Sequence, residues 1–149
     1  MDRDRKKKPK RIILASDHAG FKLKEEIKKF LIKKRKKVLD LGTKNTNSVD
    51  YPDYAHLLSR KMKKDKSQLG ILICGSGTGM SIVANKHKNI RAALCYNTKS
   101  TKLSRLHNNA NVITLGSRFT KKNVALKCVS TFLKTDFDGG RHIRRIKKI

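Results

Sequence analysis

The chain has 149 residues, with 38 Lys or Arg against 11 Asp or Glu, a formal charge of +27. That length suits one domain with a real core; no apolar run is long enough to span a membrane; and three cysteines without a C-x-x-C pair exclude a disulfide framework and point to a reducing cytoplasm. So basic a chain raises nucleic acid as a partner, but the lysines are scattered over every predicted helix, no nucleic-acid motif occurs, and five Phe, three Tyr and no Trp make no stacking platform, which leaves a solvated surface that attracts small anions.

Residues 1–10 read as a disordered basic arm, with no apolar segment behind it to make a secretory signal. Residues 11–149 read as a single domain, with a basic tail from about Gly139 that carries one more short helix. Arg11–Ser16 is predicted as the first strand. Phe21–Lys36 follows as a helix, with Leu23, Ile27, Phe30 and Leu31 on one face and solvated lysines opposite. Val38–Leu41 is a second strand and Lys44–Asp50 a polar loop. Tyr54–Lys64 is a helix with Tyr54, Leu57, Leu58 and Met62 aligned. Leu69–Ile73 is a third strand, followed by a short helix over about Gly79–His87. Arg91–Tyr96 is a fourth strand, and Lys99–His107 a helix with Leu103 and Leu106 inward. Val112–Leu115 is a fifth strand and Thr120–Lys134 a helix. This alternation predicts a three-layer α/β/α sandwich around a Rossmann-like, five-stranded parallel sheet.

Ligands of such sheets bind outside the carboxyl ends of the strands. There the chain carries Asp17-His18 after the first strand, Asp50-Tyr51-Pro52 beyond the second, and Cys74 with Gly75-Ser76-Gly77-Thr78-Gly79 after the third. Tyr96-Asn97 follow the fourth strand and Gly116-Ser117-Arg118 the fifth. A strand-to-helix turn rich in glycine offers backbone N–H groups and a helix N-terminus to an anion. A thiol acts as base or nucleophile only as thiolate, which helix N-termini and nearby cations favour. The alternating glycines are not the G-x-G-x-x-G of dinucleotide binding, which belongs after the first strand. Cys95 and Cys128 read as small core residues. Asp17 and Asp50 are also suited to capping the helices that follow them.

The set Ser16–Lys24, Asp50–Ala55, Cys74–Gly79, Ala84-Asn85-Lys86, Arg91-Ala92, Ser104–Asn108, Gly116-Ser117-Arg118 and Gly139-Gly140-Arg141-His142-x-x-Arg145 occurs in order over residues 11–146. Together these segments resemble the type B ribose-5-phosphate isomerases, whose superfamily includes the galactose-6-phosphate isomerase subunits. The resemblance implies cofactor-free and metal-free interconversion of ribose 5-phosphate and ribulose 5-phosphate through an enediolate. Hexose 6-phosphates such as allose or galactose 6-phosphate are the alternative substrates, and a basic nucleic-acid-associated α/β protein is the more distant reading. By resemblance Cys74 is the base; relatives with a glutamate at the position of Met80 lack the thiol. Gly75, Ser76, Gly77, Thr78 and Gly79 form the anion hole, with Ser76 orienting or protonating the substrate. His107 opens the sugar ring and Asp17 handles a hydroxyl proton. His18, Arg118, Arg141 and Arg145 bind phosphate, and Tyr51 and Asn108 touch sugar hydroxyls. Direction sets a further expectation. Helices run back from the strand ends, so His107, Asn108, Arg141 and Arg145 belong to the opposite edge of their own subunit from Cys74. A homodimer with shared sites, or a tetramer of such dimers, reconciles the two.

Overall fold

The computed structural model describes residues 11–149, so the arm assigned to residues 1–10 lies outside the described residues. In chain order the elements are β1 (Ile12–Ser16), α1 (Phe21–Lys33), β2 (Val38–Asp40), α2 (Tyr51–Lys63), β3 (Leu69–Cys74) and α3 (Thr78–Ala84). They continue with β4 (Ala92–Leu94), α4 (Thr98–Asn108), β5 (Val112–Gly116), α5 (Lys122–Lys134) and α6 (Arg141–Ile146). All strand pairs are parallel, in the order β2-β1-β3-β5-β4. This is the predicted three-layer, five-stranded architecture.

Alternate residues of the central strands feed two cores. Ile12, Leu14, Ile71, Ile73, Ile113 and Leu115 pack with Leu23, Ile27 and Leu31 of α1 and Ala125, Val129 and Phe132 of α5. Ile13, Ala15, Leu72 and Cys74 pack with Ala55, Leu58 and Met62 of α2 and Met80 and Ala84 of α3. A sheet covered on both faces needs apolar side chains at every position, which is why these strands read as continuous apolar runs. Cys95 and Cys128 lie in the first core, where burial pushes both thiols up in pKa. In the register, Ser16 is opposite Ile73 and Cys74 opposite Gly116. The ends of β1, β3 and β5 are therefore level, and the turns after them meet.

Several expected boundaries and faces differ from those observed. Helix α1 stops at Lys33 rather than Lys36, because Arg35 takes a left-handed φ of 58°. The N–H of Lys36 then reaches back to the carbonyl of Leu31 and that of Arg35 to Ile32, closing the helix end. Helix α2 begins at Tyr51, not Tyr54; Pro52 sits in its first turn, where a missing N–H costs nothing. Its inward face is Ala55, Leu58, Ser59 and Met62, and Leu57, expected inside, is exposed. In α4 the buried residues are Thr101 and Ser104, while Leu103 is exposed. Both hydroxyls donate at 2.7 Å to carbonyls of their own helix, Thr101 to Asn97 and Ser104 to Thr101, and so enter the core without an unmet donor.

The lysine face of α1 is not wholly solvated either. Lys24 is fully buried, its Nζ 2.7 Å from Asp40 and 2.9 Å from Glu25. Lys28 bridges the same two carboxylates at 2.8 and 3.2 Å. Burial pushes the Asp40 carboxyl up in pKa. The hydrogen bonds from Lys24, Lys28 and the Gly42 N–H outweigh it and hold the group below its ordinary value. The bond to Asp40 in turn raises Lys28. A buried cation is tolerable when it is paired and hydrogen-bonded in this way.

Candidate functional site

The turn leaving β3 is shaped by two close constraints. Gly77 has φ +79°, a left-handed conformation that strains any side chain, and its N–H donates to the Cys74 Sγ at 3.1 Å. Gly116, at the end of β5, has no room for a side chain: a Cβ there would fall 2.5 Å from the Ser76 carbonyl oxygen. The Ser76 hydroxyl accepts from the N–H of Thr78 at 3.2 Å, at the start of α3.

The neighbouring turns lock onto this one. The Ser117 N–H donates to the Cys74 carbonyl at 2.9 Å and the Arg118 N–H to that of Gly75 at 3.0 Å. The Ser117 hydroxyl crosses to the Ala19 carbonyl at 2.8 Å, tying the turn after β5 to the turn after β1. In that first turn Asp17 accepts the N–H of Gly20 at 3.0 Å. His18 Nδ1 accepts from the N–H of Val49 at 3.1 Å, which places the ring proton on Nε2. The Arg118 guanidinium lies over Gly75, and the Tyr51 ring lies against Gly79.

These turns enclose a cavity of about 520 Å³ lined by Asp17, His18, Ala19, Tyr51, Cys74, Gly75, Ser76, Gly79, Arg118 and Phe119. Eight of the residues singled out in the sequence therefore converge. Gly77 is buried beneath the turn and Thr78 is exposed at its outer side; neither lines the cavity. Phe119 was not anticipated: it is 70% exposed, and an aromatic after a strand carries no periodic signal. Among the described residues no cluster of three or more His, Cys, Asp or Glu is arranged to hold a metal ion.

His107, Asn108 and Arg145 belong to a different cavity, of about 270 Å³, which they line with His142, Ile146 and Ile149. Arg141 is exposed at the start of α6 and lines neither. The two cavities share no residue. Arg105 and Asn109, which bracket His107 and Asn108 in the chain, line a third recess with Leu69, Arg91 and Asn111, at the beginnings of strands. The end of α4 therefore sits at the opposite edge of the sheet from Cys74. The His107 and His142 rings stack with centroids 4.4 Å apart. Burial, the His107 ring and the Arg141 and Arg145 charges all push the His142 imidazole down in pKa. His142 is thus a member of this group, because the packing of α6 on α4 brings the two rings together.

Comparison with known proteins places this geometry. The family model of the Ribose/Galactose Isomerases matches residues 12–149. Ribose-5-phosphate isomerase B of Escherichia coli (strain K12) is 41% identical over 140 residues, covering 94% of each chain. A crystal structure of a ribose 5-phosphate isomerase from Thermotoga maritima is similar with TM-score 0.90 and 49% identity, over 93% of this chain and 95% of that one. Ribose-5-phosphate isomerase B of Mycoplasma genitalium, solved with bound ribulose 5-phosphate, gives TM-score 0.90 and 47% identity over 93% and 92% of the two chains. With a level row of strand ends carrying Cys74, Asp17, His18 and Arg118, and a match over nearly all of its described length, the chain belongs to the ribose/galactose isomerase family.

Proposed function

We propose that this protein interconverts D-ribose 5-phosphate and D-ribulose 5-phosphate, moving a proton between C1 and C2 through an enediolate. One observation carries the reading most: Cys74 ends a central strand inside a cavity that also holds Asp17, His18 and Arg118. The thiolate of Cys74 takes the proton from the carbon next to the carbonyl and returns it to the neighbouring carbon. The negative charge that builds on the substrate oxygens meets the N–H groups of Gly75, Ser76 and Gly79, the residues of the turn that line the cavity, which are fixed before the reaction and need no reorganisation. Asp17 relays the hydroxyl proton, and Ser76 orients the reacting end. His18 offers an Nε2–H donor and Arg118 a fixed charge for the phosphate.

Ring opening and the rest of the phosphate grip fall to His107, Asn108, Arg141 and Arg145. These residues are supplied by a second copy of the chain, because they lie at the far edge of their own subunit. The exposed Leu103 of α4 and Ile143 of α6 flank this group and suit burial in such a dimer. Three free cysteines fit a reducing cytoplasm.

The test is a coupled assay of the purified protein against ribose 5-phosphate, allose 6-phosphate and galactose 6-phosphate, with Cys74→Ala beside it. Pentose turnover should dominate and be lost in the variant. A hexose preference overturns the substrate. A variant within about tenfold of normal activity, ~1.4 kcal/mol in the barrier, removes Cys74 as base.

A further inference from the structure

The basic residues are scattered along the sequence, but the parallel fold gathers many of them. Every helix of such a sheet returns toward the edge where strands begin, so the helix C-termini collect there. Helix α1 ends in Lys33 and runs on through Lys34, Arg35, Lys36 and Lys37, all exposed. Helix α2 ends with Arg60, Lys61 and Lys63 and is followed by Lys64 and Lys66, of which only Lys61 is part-buried. Asp65 is the sole acid within either run. The two helices pack on opposite faces of β1 and β3. Their ends therefore flank the starts of those strands from both sides. The gap is bridged where the Ile12 N–H bonds the Lys37 carbonyl at 2.8 Å, next to Arg11. Two helices of ~10 Å diameter over a sheet make this ridge about 25 Å across.

A helix dipole favours cations in the last turn, which accounts for Lys33, Lys61 and Lys63. It does not account for Lys34 to Lys37, nor for Lys64 and Lys66, which lie beyond the helix ends and repel one another. The edge with the Cys74 cavity is different: it carries Asp17, Asp50 and Asp53 among its cations.

We propose that the β1–β3 part of the strand-start edge, where the ends of α1 and α2 flank the sheet, rather than the α4–α6 part given to the partner subunit, binds the phosphate backbone of a nucleic-acid duplex without reading its sequence. A ridge of closely spaced cations matches a polyanion carrying one charge per ~1.7 Å of axis. A duplex is favoured over a single strand because the ridge has no stacking platform: the Phe30 ring packs against the core, with Lys34 5.1 Å above it. A lipid surface is disfavoured because it calls for an apolar face beside the charge. The apolar faces of α1 and α2 are spent on the core, leaving Ile32 as the exposed apolar side chain beside the first run.

The test titrates a labelled duplex of about 20 base pairs with the full-length protein as salt rises from about 50 to 200 mM. The logarithm of affinity should fall against the logarithm of salt with a slope of roughly −3 or steeper. Reversing Lys34, Lys36, Lys63 and Lys66 to Glu should weaken binding more than about tenfold and flatten that slope, while isomerase turnover and thermal melting stay unchanged. Reversing Lys22, Lys44, Lys121 and Lys127, exposed elsewhere, makes the same change in charge and should weaken binding far less. Equal loss in both variants means bulk charge alone and overturns the proposal. So does a flat salt dependence in the unaltered protein, or tighter binding to phosphatidylserine vesicles than to the duplex.

Discussion

Single residues show how charge decides position in this chain. Lys24 sits in a helix crowded with lysines, and nothing in the helical period separates it from Lys28 or Lys29. It goes inside because Asp40, at the end of a strand sixteen residues away, meets its ammonium at 2.7 Å. Replacing Asp40 with Asn should destabilise the fold by about 3 kcal/mol at neutral pH, since a buried cation then loses its main partner. The effect is pH-dependent with a definite sign. The folded-state pKa of Asp40 is held below its ordinary 3.8, so its contribution is present above that value and lost as pH falls through the lower, folded one. Urea unfolding at pH 7 and near pH 3 should show a gap between wild type and variant that narrows in acid. A gap unchanged by acid would remove Asp40 as the cause.

At the scale of elements, the meeting of three turns depends on absent side chains. Gly116 belongs to β5 but its bare Cα is what lets the Ser76 carbonyl pass. Gly116→Ala should cost about 1–3 kcal/mol, as overpacking does, and should lower kcat more than it raises KM, because the glycine turn beside Cys74 is what must shift. Thermal melting and steady-state kinetics check both parts; full activity at wild-type Tm would show that the turn yields freely. Element boundaries also mark what a helical period cannot convey. Leu103 and Leu57 look like inward residues by spacing and are exposed, while Thr101 and Ser104 look like surface residues and are buried. Hydroxyls that bond back to their own helix need no water, and that satisfaction is invisible to a hydrophobicity count. The early start of α2 at Tyr51 was legible in principle from Pro52, a residue suited to a first helical turn.

For the whole molecule, the decisive fact is that the residues of the proposed site occupy two edges of one sheet. Mixing Cys74→Ala with His107→Ala protein, each inactive alone, should recover roughly a quarter of wild-type turnover after subunit exchange, since half the dimers are mixed and each has one intact site. No recovery despite exchange demonstrated by mass spectrometry would refute the shared site and leave the role of the Cys74 cavity to be judged by its own variant.

The order and type of elements, the parallel sheet and the family were all legible from the sequence, because apolar runs, helical periods and the glycine turn are local and survive without tertiary context. The convergence of Asp17, His18, Cys74 and Arg118 was also legible, since parallel strands of similar length must bring their ends to one edge. Burial of Lys24, the stacking of His142 on His107, the inward hydroxyls of α4 and the gathering of basic helix ends along the starts of β1 and β3 were decided only by the tertiary structure. Each depends on a partner distant in sequence, and no local pattern records which charge will be paired, which ring will be covered, or which scattered lysines will become neighbours.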